Sequence, residues 1–347
     1  MPRVEGWRLH AWGRPPEWEP IDVPEPGPGE ILVEVEACGV GLTVINCMNG
    51  NLADAPNLLP LTPGHEVVGR VSVVGENVAS HRPGDRIAAY FYLSCFRCPP
   101  CLAGKESRCE NLSGWYGVHR DGGYAPLTLM PQGNAIPVPA DIPAAEATVI
   151  PDAVATPVHV CRTRLSLEAG DRVVVVGAGG GVGVHMIQVA RDCGAEVAGL
   201  DLSEEKLALI GELGATPVAS RDLSAVSLEE MGGNPDAVID LVGTPETLSW
   251  GASVLGRGGR LCVLTTFRDV TFEVAPREVV FKESSIVGSR YASRSELSDA
   301  AELVAAGTVR PIVTEVVGPR EVGALHESLT AGRLRGRGAI VWEGDGR

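Results

Sequence analysis

The chain has 347 residues, 44% of them hydrophobic, and carries 29 basic against 44 acidic side chains for a net charge of −15. That length allows a large core and two or three domains, while the acidic balance disfavours nucleic acid and anionic membrane surfaces and points to a small-molecule ligand. No apolar run approaches the roughly 18 residues of a membrane span and the start Met1-Pro2-Arg3-Val4-Glu5 lacks targeting character, so a cytoplasmic location is expected.

A Pro/Gly-rich approach, Asp22 to Gly29, leads into short apolar runs at Ile31 to Ala37, Val67 to Val74 and Arg86 to Phe91. Such runs, broken by Pro and Gly up to about Asp152, predict a β-rich domain with long loops. Tyr90, Phe91 and Tyr92 are candidate walls of a substrate cleft, with a strand of the domain core as the other reading. Next come Cys95, Cys98, Cys101 and Cys109. Four thiolates fill a tetrahedral zinc shell and leave no open position, so the segment from Ser94 to Asn111 is expected to be a zinc-stapled scaffold and not a catalytic centre. Disulfides fit poorly, because no secretory segment precedes the cluster and the chain holds an odd nine cysteines. Cys38, Cys47, Cys161, Cys193 and Cys262 read as buried small apolar residues.

From Asp171 the pattern becomes buried strand, glycine turn, helix and strand, repeated, which predicts a parallel sheet with crossover helices. The strand Arg172 to Val176 runs into Gly177-Ala-Gly-Gly180-Gly181-Val182-Gly183 and a helix from Val184 to Cys193. Glycines allow the backbone to approach a pyrophosphate on the N–H groups of the helix start. The next strand, Glu196 to Leu200, ends at Asp201, a carboxylate placed to bind both ribose hydroxyls of NAD and to repel the 2′-phosphate of NADP. NAD(H) is therefore the expected cofactor. Lys206 either reaches the adenosine ribose or is a solvated helix charge. Val242, after the strand Ala237 to Leu241, and Thr265, after Arg260 to Leu264, sit where ligands of doubly wound sheets bind.

These landmarks, with Pro24-Glu-Pro-Gly-Pro-Gly-Glu30, Ala37-Cys-Gly-Val40, Gly64-His-Glu66, Gly84-Asp-Arg86 and Asp121-Gly-Gly-Tyr-Ala125, resemble the medium-chain dehydrogenase/reductase superfamily over essentially the full length. The superfamily holds zinc-containing alcohol dehydrogenases and zinc-free quinone and enoyl reductases. The resemblance implies an α/β protein: a GroES-like β-rich catalytic domain over 1–152, with the zinc lobe at 94–111, a Rossmann doubly wound domain over 153–290, and a C-terminal return, 291–347, to the first domain. It also implies a homodimer or homotetramer paired through the edge of the nucleotide-domain sheet.

Alcohol dehydrogenases of this family usually read Cys-Gly-Val-Cys-His-Thr-Asp and place the second cysteine on a catalytic zinc. Here the text is Cys38-Gly-Val-Gly41-Leu42-Thr43-Val44, so a ligand is missing at Gly41. His65 and Glu66 match the family's histidine ligand and its neighbour, and Asp152 stands at the third ligand position. His65, Glu66 and Asp152 are thus candidate ligands of a catalytic zinc, the other reading being a dry remnant in which Asp152 caps the following helix. Thr43 keeps the place of the family's proton-relay hydroxyl. The expected activity is NAD(H)-dependent interconversion of an alcohol and a ketone or aldehyde. Zinc-independent reduction of a conjugated C=C is the alternative, and a catalytically inactive nucleotide-binding protein the third reading.

Overall fold

The computed structural model describes residues 2–267 and 269–342. The chain forms two compact units, one of residues 1–152, 292–307 and 313–347, the other of 153–291 and 308–312.

The first unit is built on strands β1 (Arg3–Arg8), β2 (Glu17–Asp22), β3 (Glu30–Val40), β4 (Glu66–Val74), β5 (Arg86–Ala89), β6 (Leu127–Pro131) and β7 (Ala135–Pro137). β3 is the organising strand. Its Ile31, Val33 and Val35 alternate into one apolar cluster with Val67, Val71, Ile87 and Met130, as the two-residue period of a half-buried strand requires. It pairs antiparallel with β4 on one side and with β6 and the C-terminal strand on the other. Of the expected strands, Arg86 to Phe91 is shortened: β5 ends at Ala89, and Tyr90 turns away to donate its hydroxyl to Ala292 O at 2.8 Å.

The second unit holds β8 (Arg172–Val176), β9 (Glu196–Asp201), β10 (Thr216–Ala219), β11 (Ala237–Asp240), β12 (Arg260–Val263) and β13 (Ser285–Gly288), all parallel, in the order β10-β9-β8-β11-β12-β13. This is the doubly wound order, with the reversal between β8 and β11. Val173–Val176 are buried because helices cover both faces. Helix starts are capped from the sequence: Ser203 Oγ accepts the Lys206 N–H, and Thr244 and Thr247 form a capping box. The chain returns to the first unit through β14 (Val313–Val317) and β15 (Arg337–Val341), the latter antiparallel to β3. Among the described residues no helix is long and apolar enough to cross a membrane.

Candidate active site

Two glycines on one side of β3 make room for a buried charged cluster. In the β3–β4 register Gly39 faces Glu66, and in the β15–β3 register Gly338 faces Val40, which brings Arg337 beside Gly41. A side chain at Gly39 would strike the Glu66 carboxylate, and one at Gly41 would land on the Arg337 guanidinium. Gly41 has φ −134° and ψ 177°, extended backbone open to any residue, so what glycine provides there is space for the Arg337 guanidinium.

Over these bare positions the ionic side chains meet. Arg337 Nη2 donates to Glu66 Oε1 and, at 3.1 Å, to Asp152 Oδ2. His65 Nε2 lies 3.6 Å from each of the same two oxygens. His65, Glu66 and Arg337 are almost fully buried and Asp152 is 15% exposed. Burial pushes the Glu66 carboxyl above the usual carboxylate range, against the lowering effect of Arg337. Burial would lower Arg337, but Glu66 and Asp152 outweigh it and raise its value, so the guanidinium stays charged.

Local backbone aims these groups. Gly64 has φ +100°, and a Cβ there would clash with the Tyr124 ring and Cys38 Sγ, so this turn directs His65 inward at the start of β4. The imidazole packs on Phe91, with centroids 4.7 Å apart. Asp152 lies in a π-helical turn, Ile150–Val154, a conformation frequent at functional sites. It is not a cap: Val154 holds the N-cap position of the helix Ala155–Val158, which has no side-chain cap. Among the described residues His65 Nε2 has no hydrogen-bond partner. Thr43 sits in the first turn of the helix Leu42–Met48, partly exposed and without a hydrogen bond to the cluster among the described residues. Cys47, on the same helix, is buried with its thiol pushed up to about 12 by desolvation, and packs against Gly117 O.

In the cysteine lobe, Cys95, Cys98, Cys101 and Cys109 all lie within 4.8 Å of one another. Cys98 Sγ is 3.5 Å from Cys101 Sγ and 3.9 Å from Cys109 Sγ. Zinc–sulfur bonds of about 2.3 Å in a tetrahedron put sulfurs about 3.8 Å apart. The lobe therefore fits one zinc ion, and its cysteines are free thiols.

In the second unit Gly177 turns at φ +79°. Side chains at Gly183 or Gly179 would strike the Gly177 carbonyl or the Lys206 stem and Asp201 carboxylate. The helix Gly183–Asp192 starts directly beyond, with Gly181, Val182 and Gly183 at the end whose N–H groups lack intrahelical acceptors. Asp201 ends β9 and is oriented by N–H donors from Gly179 at 2.9 Å and Leu202 at 2.8 Å. Asp240 accepts from Val242 and Gly243 at the end of β11, and Thr265 fills the space beside Gly243. Gly180 closes the turn by donating to Gly177 O. The predicted cofactor residues thus gather at the carboxyl ends of β8, β9, β11 and β12, and their donor set fits a dinucleotide.

Residues 27–140 match the model of the alcohol dehydrogenase GroES-like domain, and residues 181–306 that of zinc-binding dehydrogenases. An NAD-dependent alcohol dehydrogenase of Sulfurisphaera tokodaii is 31% identical over 97% of this chain and 100% of its own. The acryloyl-coenzyme A reductase of Metallosphaera sedula is 30% identical over 89% of this chain and 91% of its own. Among solved structures, the alcohol dehydrogenase of Aeropyrum pernix superposes with a TM-score of 0.88 at 29% identity, over 98% of this chain and 100% of that one. The chain belongs to the medium-chain dehydrogenase/reductase superfamily. It is an oxidoreductase of the alcohol dehydrogenase-like type.

In this medium-chain dehydrogenase the family's catalytic zinc does not fit the residues present. His65, Glu66 and Asp152 do converge, with ligand atoms within 4.8 Å of one another, but both carboxylates are already bonded to Arg337 Nη2, which sits at their common focus. Sequence reasoning missed Arg337. The signal was the side chain absent at Gly41, which marks a volume that some other group has to fill.

Proposed function

We propose that this medium-chain dehydrogenase uses NAD(H) to interconvert an alcohol and a ketone or aldehyde, with His65 as the group that moves the proton. The observation that carries this reading is the buried His65 Nε2, without a partner among the described residues and 3.6 Å from Glu66 and Asp152. A neutral imidazole nitrogen can take the hydroxyl proton, and the carboxylates beside it stabilise the charge the ring then holds. NAD, when bound, supplies the hydride acceptor. In the reverse direction His65 returns its proton to the carbonyl oxygen. In the oxidation direction Thr43, at the family's relay position, passes the released proton outward, and Asp201 gives the preference for NAD over NADP. Similarity to NAD-dependent alcohol dehydrogenases supports both the reaction class and the cofactor.

The four cysteines hold a structural zinc. The protein assembles as a homodimer or homotetramer through the edge strand β13, which exposes Ile286 and follows a helix that exposes Val280 and Phe281. An unpaired strand edge flanked by large apolar side chains is otherwise an aggregation liability.

A second reading, reduction of a C=C conjugated to a carbonyl, is favoured by the likeness to the acryloyl-coenzyme A reductase and by a cluster whose carboxylates are already bonded to Arg337. There hydrogen-bond donors suffice to stabilise the developing oxyanion. NADH consumption across panels of ketones, aldehydes, enones and enoyl thioesters separates the two. Turnover on ketones or aldehydes that falls by about 10²–10⁴-fold in His65→Gln supports the first reading. Turnover confined to conjugated substrates replaces it with the second, and no turnover on either panel removes both.

A further inference from the structure

We propose that Arg337 is the resident cation of this site, holding Glu66 and Asp152 in the volume that relatives give to a catalytic metal, and that Gly41 is the residue that admits it. Three observations converge. The guanidinium bridges both carboxylates through Nη2. Its Nη1 occupies the space that any side chain at position 41 would enter. The pairing of β15 with β3 fixes Arg337 beside Gly41, so the contact is built into the sheet and not left to a loop.

The electrostatics agree with the geometry. A buried carboxylate at Glu66 and a largely covered one at Asp152 need a cation near them, and the planar guanidinium offers several donors in a fixed fork. A divalent ion at the same oxygens would have to displace that fork and then sit against its positive charge in a medium of low dielectric. A side chain at position 41 would land on the guanidinium as it lies here, so glycine leaves room for the inward Arg337. Asp152 supports the pairing, because a carboxylate accepts a guanidinium hydrogen bond well.

The role assigned to Arg337 is positioning: it fixes the two carboxylates that flank His65. It holds whichever substrate the protein takes, and its test needs no turnover. Full-length protein purified without added metal is analysed for zinc before and after incubation with excess zinc and gel filtration. One zinc per chain is expected in both samples, all of it in the cysteine lobe. Cobalt reconstitution of the same protein is expected to give a single thiolate-type spectrum. In Arg337→Ala, incubated with zinc in the same way, two per chain are expected, returning to one when Asp152→Asn is added. Two zincs per wild-type chain, or a second cobalt spectrum without thiolate character, overturns the proposal. So does a folded Arg337→Ala protein that still takes only one zinc. If that variant does not fold, the wild-type zinc and cobalt counts decide alone.

Discussion

Arg337 lies over Gly41 as the side chain of one strand covering the bare backbone of the next, and this pair sets what the cluster at Glu66, Asp152 and His65 can be. A methyl group at position 41 would meet the guanidinium. Gly41→Ala is therefore expected to destabilise the protein by about 1–3 kcal/mol, the usual cost of overpacking a closed site. The same substitution in an Arg337→Ala background should cost much less, since the clash is gone. Chemical denaturation of the four proteins of this double-mutant cycle measures the coupling.

His326 gives a pH dependence. Its Nε2 lies 2.9 Å from the Tyr124 hydroxyl, with the rings stacked, and burial pushes its pKa down from 6.5 to about 4. Tyr124 is pushed far above its usual value, chiefly by burial, and keeps its proton, so the phenol donates and the neutral imidazole accepts. A depressed folded value means that the unfolded chain takes up the proton first. The stabilisation is complete above pH 6.5 and is lost as pH falls from there towards 4, by at most about 3 kcal/mol. Melting temperatures recorded across that window should fall in the wild type, and His326→Gln should flatten the slope.

Asp201 is held by the Gly179 and Leu202 N–H groups with its carboxylate at the end of β9. Asp201→Asn removes a charged acceptor, and hydrogen bonds to charged groups contribute about 1.5–3 kcal/mol. An increase of about tenfold to a hundredfold in KM for NADH is expected, with kcat largely kept and use of NADPH improved. Steady-state kinetics with both cofactors checks this. An unchanged ratio would remove the role given to Asp201.

Ile286 stands half exposed on the edge strand β13, near Val280 and Phe281 on the preceding helix, Pro276–Lys282. A charge there is incompatible with a buried strand-to-strand interface. Light scattering coupled to gel filtration should report an oligomer for the wild type and a monomer for Ile286→Lys.

The nucleotide-binding unit was legible because its signals are local. Four valines, a glycine turn and a helix follow one another between Arg172 and Asp192, and Asp201 closes the next strand. The convergence of the four cysteines was legible for the same reason, since all four fall between Cys95 and Cys109. The charged cluster was only half legible. His65, Glu66 and Asp152 could be placed from family motifs, but Arg337 lies 271 residues from Glu66 and reaches it only through the antiparallel docking of β15 on β3. Nothing in Arg335-Gly-Arg337 distinguishes a buried arginine from a surface one. Phe91 was drawn into a strand by its apolar neighbours, whereas hydrogen bonding ends that strand at Ala89. The alternative reading of Asp152 as a helix cap fails because the π-turn Ile150–Val154 places it inside a helical stretch.

Hydride transfer itself is tested most directly with NADH carrying deuterium at C4. Supplied to the protein with a ketone that it turns over, labelled cofactor should yield an alcohol bearing deuterium on the former carbonyl carbon, and His65→Gln should slow that transfer without moving the label. Deuterium on the β-carbon of a conjugated substrate, with none appearing in any alcohol product, would contradict the carbonyl reading, and cofactor bound without label transfer to any substrate would contradict the assignment of hydride chemistry.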